Sequence, residues 1–157
     1  MPGEASLRLG QYYGHPRNAF WPIMSALLGV ASGADYAQRC AALVANGIAL
    51  WDVIGACERS GSLDSAIRAD TVRVNDIAGL LQDEPSIRAI CCNGGTAERE
   101  LARRVWPNVA AERRKLPRLR LPSTSPAYAG MPFAEKLAAW RIILPLCDPA
   151  ARRCSVE

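Results

Sequence analysis

The stretch that decides the fold class is Ser86-Ile-Arg-Ala-Ile-Cys-Cys-Asn-Gly-Gly-Thr-Ala-Glu-Arg-Glu-Leu-Ala-Arg-Arg-Val105. Its first part, Ser86–Cys92, is a short apolar run typical of a buried strand. Asn93-Gly-Gly95 breaks this strand, and Thr96–Val105 is predicted to be a helix that Thr96 caps, with acidic residues in its first turn. A strand, a glycine turn and a helix in this order indicate an α/β protein.

The rest of the chain continues the alternation of strands and helices. An Asn18 cap and a Gly29 stop bound one predicted helix, and Asn46-Gly47 ends the next. Further strands are predicted at Ile48–Ile54 and Leu116–Leu121, and helices at Ala19–Leu28, at 34–45, at Val74–Leu81 and at Phe133–Leu144.

This alternation predicts an α/β fold with three parallel strands in one sheet. In such a sheet, ligands bind at the carboxyl ends of the strands. The loops that follow Ile54, Cys92 and Leu121 are therefore expected to share one functional rim.

Composition limits the class of protein. The chain has 157 residues, of which 50% are hydrophobic and 22% are charged, so residues 1–157 are expected to form a single globular domain. No apolar run approaches the roughly 20 residues that span a bilayer, and Met1–Gly10 lacks the pattern of an export signal. The net charge of +4 is mild, so it permits a polyanionic partner without requiring one.

The cysteines give no sign of a metal site. No two of them form a CxxC pair, and the single histidine, His15, is far from all of them in sequence. Zinc and cluster sites need closely spaced ligand pairs, so we expect no metal and no cofactor, and a reduced, cytoplasmic protein. The six cysteines are Cys40, Cys57, Cys91, Cys92, Cys147 and Cys154.

Three polar clusters lie on or near the predicted rim: Gln11–Trp21, Asn93-Gly-Gly95 and Pro122-Ser-Thr-Ser-Pro126. The first gathers tyrosines, a histidine, an arginine and an asparagine, which need partners if they are buried. Glycine in the second lets the backbone approach a ligand closely, and the hydroxyls of the third suit contacts with phosphate.

Each cluster also has a purely structural interpretation. Asn18 alone is more simply a helix cap, His15 a structural histidine, and Tyr12 and Tyr13 the edge of a core. The other two clusters are equally well a strand-to-helix turn and a solvated proline turn.

The residues of the first cluster resemble a known motif. Gly3-Glu-Ala-Ser-Leu7 and Tyr12-Tyr-Gly-His-Pro-Arg-Asn-Ala-Phe-Trp21 are similar to the first motif of the hypoxanthine-DNA glycosylases, the sixth family of the uracil-DNA glycosylase superfamily. Leu121-Pro-Ser-Thr-Ser-Pro-Ala127 resembles the second motif of that superfamily. The segments between them also follow the family's pattern, so the resemblance covers nearly the whole chain; they are Gly47–Val53, Cys57–Ser65 and Cys92–Glu98.

The resemblance implies a three-layer α/β/α domain that removes a deaminated base, chiefly hypoxanthine, from DNA. The target nucleotide must be flipped out of the base stack before it is cut. Asn18 matches the family's catalytic asparagine, and His15 is expected to assist the departure of the base. Tyr13 matches the aromatic residue that stacks on the base, with Gly14 beside it, and Asn93 is expected to read the base edge.

The resemblance also implies the contacts with DNA. Ser123, Thr124 and Ser125 would grip the phosphates, and Arg17 would contact a phosphate or an acidic neighbour. The arginines of Arg99–Arg120 are more simply a solvated face, part of which faces DNA. No membrane contact is expected, and the protein is expected to be a monomer.

Two expectations remain open at this stage. In the superfamily the first motif follows a buried strand, whereas here the chain begins at Met1-Pro-Gly3. That strand is therefore expected to be missing and to leave a slot in the sheet. Met1 is then expected to be an internal methionine of a longer protein.

The alternatives to a glycosylase are a catalytically impaired homologue that only binds DNA and, less favoured, an enzyme acting on free nucleosides.

Overall fold

The computed structural model describes residues 2–31, 33–61 and 63–147, and Met1 and Cys154 lie outside them. A π-helical turn at Leu101–Val105 extends one helix, and a 3₁₀ turn at Arg141–Leu146 extends another. The helices and strands in chain order are α1 (Glu4–Leu9), α2 (Phe20–Leu28), α3 (Tyr36–Ala45), β1 (Ile54–Ala56), β2 (Arg73–Val74), α4 (Ile77–Asp83), β3 (Ile90–Asn93), α5 (Gly95–Glu100), β4 (Arg118–Leu121) and α6 (Phe133–Trp140).

A parallel pair of strands sets the position of the site. Strand β3 pairs with β4 so that Asn93 lies opposite Leu121, and both strands end at this level. Gly94 extends the pairing, because its N–H donates to the Leu121 carbonyl at 3.0 Å. The loops after β3 and β4 therefore lie side by side, which confirms the α/β class and this part of the predicted rim.

The predicted strand Ile48–Ile54 is wrong except at its last residue. Strand β1 starts at Ile54 and pairs antiparallel with β2, so the described residues contain two parallel strands and not three. A strand needs a neighbour to complete its hydrogen bonds, and no described strand lies alongside 48–53. Instead the Asn75 backbone N–H and its side-chain amide bond the carbonyls of Val53 and Asp52 at 3.0 and 2.7 Å.

A cavity of about 1850 Å³ opens beside the parallel pair, and its walls include residues of both 48–53 and β3. Since the loop after Ile54 belongs to the antiparallel pair, the described rim is built from the loops after β3 and β4. The segment expected before Met1 is outside the described residues, so its existence stays a prediction.

Two helix starts differ from the predicted ones. The helix expected at Val74–Leu81 begins at Ile77, because Asp76 caps it by accepting the Gly79 N–H at 2.8 Å. The expected cap by Thr96 is wrong: α5 begins at Gly95, after Gly94, and has no side-chain cap. The regular helix there ends at Glu100 and continues to Val105 only as the π-helical turn.

The remaining elements agree closely with the sequence pattern. Asp35 and Gln38 form a reciprocal capping box at the start of α3, which ends at Asn46 as predicted. Gly29, with φ of +71°, ends α2 as predicted. The strand expected from Ser86 is paired only from Ile90 onward. Within the described part of the chain, no helix is long and apolar enough to cross a membrane.

The apolar side chains form two clusters. One joins α2, α3 and α6 to the end of β4, where Leu121 is buried; the other joins α4, α5 and the π-helical turn to Cys92 of β3. The parallel pair contributes to both clusters, so its strand ends are held by packing from two sets of helices. That fixed frame positions the loops after β3 and β4.

Candidate active site

The loop between α1 and α2 holds Tyr13 in an unusual backbone conformation. Its φ is +54°, the left-handed region, which costs a residue other than glycine about 1–2 kcal/mol. Three hydrogen bonds offset this cost. The Tyr12 N–H donates to the Tyr36 hydroxyl at 2.9 Å, the Trp21 indole N–H to the Tyr12 carbonyl at 3.0 Å, and the Gly14 N–H to the Ser6 hydroxyl at 3.0 Å.

The Tyr13 side chain is fixed as firmly as its backbone. Its ring stacks on Phe20 with centroids 4.0 Å apart and planes 23° from parallel, and it forms part of the cavity wall. Burial raises the pKa of the Tyr13 hydroxyl to about 12, although a hydrogen bond with Asn93 works in the opposite direction. The hydroxyl is therefore neutral near pH 7, and the ring is a rigid aromatic surface.

Asn18 stands at the start of α2 in the wall of the same cavity. Its Oδ1 accepts the Phe20 N–H at 2.9 Å, so Asn18 does help to cap the helix, although Ala19 occupies the formal cap position. Among the described residues its Nδ2 has no hydrogen-bond partner. The cap fixes the amide plane and leaves the NH₂ group available for a ligand.

His15 and Arg17 lie close together on the outer side of this loop. The His15 Nδ1 accepts the Arg17 N–H at 3.1 Å, which in the neutral ring places the proton on Nε2. His15 lines the large cavity and also a smaller one of about 570 Å³, which it shares with Arg17 and Ser125. Gly14 lies in the same loop. Glu4 and Ser125 also line both cavities, so His15 is one of three described polar residues at the boundary between them.

Asn93 and Thr124 bind each other across the ends of the two parallel strands. The Asn93 Nδ2 donates to the Thr124 hydroxyl at 2.8 Å, and the Thr124 N–H donates to the Asn93 Oδ1 at 2.9 Å. Thr124 is only 1% exposed, so its side chain has no surface left for a DNA phosphate. Asn93 faces the cavity with an amide that is already engaged by Thr124 and Tyr13.

Ser123 and Ser125 flank the buried Thr124 and line the large cavity. Their hydroxyls accept the N–H groups of Ser125 and Ala127, each at 3.2 Å, which stiffens the loop. Gly94 is needed beside them: its φ is +93°, and a Cβ there would lie 3.0 Å from the Ser123 Cβ. The Ser123 side chain therefore packs directly on the backbone of the glycine turn.

Several arginines of Arg99–Arg120 are used inside the protein. Arg104 binds Glu100 at 2.8 Å, Arg114 donates to the Val109 carbonyl at 2.7 Å, and Arg118 lies 4.2 Å over the Trp106 ring. Arg113 donates to the Leu81 carbonyl in α4 and to three carbonyls between α4 and β3. The expected solvated face is thus partly a set of structural contacts.

The sequence alone did not single out two residues that shape this site. Tyr36 accepts the Tyr12 N–H and so holds the Tyr13 loop, and Arg120 packs its guanidinium against Gly95 at the edge of the cavity. Their partners are 24 or more residues away in the chain, so the sequence carries no local signal for these contacts. The described residues contain no group of three side chains suited to hold a metal ion.

Comparison with known proteins identifies relatives of similar sequence. No family model matches the sequence. A protein of Methanosarcina acetivorans named Hypoxanthine DNA glycosylase is 39% identical over 98 residues, which are 62% of this chain and 61% of that protein. One of the same name from Methanosarcina barkeri is 36% identical over 95 residues, or 60% and 59% of the two chains. The match thus spans about three fifths of the length of these relatives.

A solved structure extends the match to most of the chain. The solution NMR structure of a "putative Uracil DNA glycosylase" from Methanosarcina acetivorans superposes with a TM-score of 0.68 and 32% identity. The superposition covers 90% of this chain and 85% of that one. The fold is therefore that of the uracil-DNA glycosylase class, as expected.

Within that class, the motifs and the relatives agree on one branch. The chain belongs to the uracil-DNA glycosylase superfamily, and within it the chain is similar to the proteins named Hypoxanthine DNA glycosylase.

Proposed function

We propose that this protein is a monofunctional DNA glycosylase that hydrolyses the N-glycosidic bond of a deaminated base, with hypoxanthine as the first substrate and uracil and xanthine as further candidates. The observation that carries the proposal is the placement of Asn18 and Tyr13 in one cavity wall, the first with a free NH₂ group and the second with a rigid ring. The names of the relatives favour the same activity.

The substrate in this proposal is a nucleotide flipped out of duplex DNA. Flipping costs a few kcal/mol, and stacking of the extruded base on an aromatic side chain recovers part of that cost. Phe20 covers one face of the Tyr13 ring, and we assign the stacking role to the remaining face. Gly14 follows Tyr13 but does not line the cavity, and a Cβ there would lie 3.0 Å from Leu9 Cδ1 and 3.3 Å from Ser6 Cα, so this glycine serves the close packing of the loop on α1.

The bond between the sugar C1′ and the base nitrogen then breaks with water as the nucleophile. The base leaves as an anion, the sugar develops oxocarbenium character, and the water supplies a hydroxyl to C1′ and a proton to the base. Asn18 acts through its amide: Oδ1 keeps a lone pair to orient the water, and Nδ2 donates to the developing charge. His15 donates from Nε2 to the departing base.

The flanking DNA binds the rim of the cavity. We assign the phosphate contacts to Ser123, Ser125 and Arg17, which border the two cavities. Thr124 also belongs to the wall of the large cavity, but it is only 1% exposed, so we assign it no phosphate. We place Asn93 at the base site, where its side-chain amide faces the base edge. The same amide binds Thr124 and Tyr13 and so also positions these two residues. The protein would act as a monomer in the cytoplasm, without metal or cofactor.

The test is excision from duplexes that contain inosine, uracil or xanthine, measured as alkali-sensitive abasic sites. We expect cleavage of the inosine strand by the wild type. Duplex binding without cleavage at enzyme excess would refute the activity and leave a DNA-binding module. Release of bases from free nucleosides alone would instead place the enzyme outside DNA repair.

A substitution at Asn18 separates catalysis from capping. Asn18→Asp retains an oxygen for the Phe20 N–H, so the melting temperature should stay close to that of the wild type. Its negative charge opposes the departing anion, so the single-turnover excision rate should fall by at least about 100-fold. Asn108→Asp, an exposed residue outside the cavity walls, makes the same charge change and should leave the rate unchanged. Wild-type turnover by Asn18→Asp would remove Asn18 from the mechanism.

A further inference from the structure

Thr124 makes more connections than its place in a surface loop suggests. Besides its two hydrogen bonds with Asn93, its carbonyl accepts the Ala19 N–H at 3.0 Å. Its side chain is 1% exposed, and every polar atom of the residue takes part in a hydrogen bond. A buried threonine so fully engaged fixes the position of whatever it binds.

The partners of Thr124 come from both halves of the proposed active site. Ala19 directly follows Asn18 and precedes α2. Asn93 ends β3 and also hydrogen bonds to the Tyr13 hydroxyl. A continuous path of contacts therefore leads from the Tyr13 ring through Asn93 and Thr124 to the residue next to Asn18.

We propose that Thr124 is a positioning residue that sets the distance between the Tyr13 ring and the Asn18 amide, acting through Asn93 and Ala19; this inference rests on the proposed glycosylase function. The flipped base must meet both groups at once, and a misplacement of about 1 Å can slow an enzyme about 100-fold. Thr124 itself touches neither the base nor the phosphates.

The hydroxyl is the part of Thr124 that the proposal needs. Thr124→Val keeps the shape of the side chain but leaves the Asn93 Nδ2 without its acceptor at 2.8 Å. The Asn93 amide is then held to Thr124 only by the Thr124 N–H at 2.9 Å, which loosens its position and its contact with the Tyr13 hydroxyl. Thr124→Ser retains the hydroxyl and removes only a methyl group.

The experiment measures the single-turnover excision rate and the duplex Kd of the wild type, Thr124→Val and Thr124→Ser. We expect Thr124→Val to lower the rate at least about tenfold while its Kd stays within about twofold, and Thr124→Ser to recover most of the rate. Thr71→Val is the matched control, because it removes a threonine hydroxyl that is hydrogen-bonded, to the Glu58 N–H and the Arg68 carbonyl, outside the cavity walls. Its rate should equal that of the wild type.

A second pair of variants supports the same path. In an Asn93→Ala background, which already lacks the amide, Thr124→Val should cause little additional loss of rate. If Thr124→Val does not fold, Thr124→Cys replaces it, since a thiol accepts hydrogen bonds weakly. A Thr124→Cys rate clearly below that of Thr124→Ser supports the proposal, and equal rates overturn it.

The outcomes that overturn this inference differ from those that refute the glycosylase itself. A wild type without excision refutes the proposed function. If the wild type is active, three results overturn the positioning role while the proposed function stands. Thr124→Val is as active as the wild type, or Thr124→Val and Thr124→Ser are equally slow, or Thr124→Val changes only the duplex Kd.

Discussion

Raising the pH should destabilise this protein through Tyr13. Its hydroxyl has a pKa of about 12 in the folded state, against 10.0 for an ordinary tyrosine, because burial opposes ionisation. A group whose pKa is raised on folding contributes stability below its unfolded pKa and loses it as the pH rises through the folded pKa. At 1.36 kcal/mol for each pKa unit, the loss is about 1.4 kcal/mol at pH 11 and approaches about 2.7 kcal/mol above pH 12.

The measurement is the free energy of unfolding by urea at pH 8, 10 and 11 for the wild type and Tyr13→Phe. Burial also raises the pKa of Tyr12 and of Tyr36, but both residues are present in the two proteins, so their effects cancel in the difference. The wild type should lose about 1.4 kcal/mol relative to Tyr13→Phe between pH 8 and pH 11.

Tyr128→Phe is the control, because Tyr128 is an exposed tyrosine, 45% accessible, and its variant should follow the wild type. Parallel pH profiles for the wild type and Tyr13→Phe would refute the reasoning, since they would mean that the Tyr13 hydroxyl reaches solvent.

Three other perturbations have calculable directions. Burial opposes the ionisation of Glu100, but hydrogen bonds and charges from Arg104 and Arg99 outweigh it and lower the pKa of its carboxyl group. In urea unfolding, Glu100→Gln should therefore lower the free energy of unfolding by about 1–3 kcal/mol at pH 7, and by less as the pH falls below 4.5. A difference between the two proteins that is unchanged at pH 3 would contradict this. Gly94→Ala should lower the melting temperature, because the φ of Gly94 is +93° and the new Cβ would lie 3.0 Å from the Ser123 Cβ. Gly33→Ala places its Cβ in open space, so it should leave the melting temperature unchanged. With a net charge of +4, log K for duplex binding should fall by about 0.9 per phosphate neutralised, with only a few phosphates involved; a slope equivalent to about ten would indicate a broad basic groove.

The sequence correctly predicted those helix ends and turns that depend on residues close together in the chain. The Gly29 stop, the α3 helix and the strand-turn-helix unit around Asn93 follow from nearby residues, and the structure retains them. The first motif likewise placed Tyr13 and Asn18 in one loop, and both line the same cavity.

Two errors concern interactions between distant segments. Residues 48–53 have the composition of a strand, but a strand forms only where another strand supplies hydrogen bonds, and composition does not reveal the partner. The resemblance implied a DNA contact for Thr124, and nothing local in the sequence indicated that the β3–β4 register brings it to Asn93, 31 residues away, where it is buried. The wrong helix cap at Thr96 is a local error, because Gly94 lets the chain turn directly into α5 without a side-chain cap.

The arginines bound to carbonyls and to Glu100 bear on how this protein would search a genome. A guanidinium that donates to the protein's own backbone, as Arg113 and Arg114 do, displaces few counterions from a passing duplex. Undamaged DNA would then hold the protein only briefly, and each encounter would end in dissociation unless a base enters the cavity. We therefore expect a scanning mode made of many short visits, in which recognition of damage, rather than attraction to the polyanion, sets the residence time.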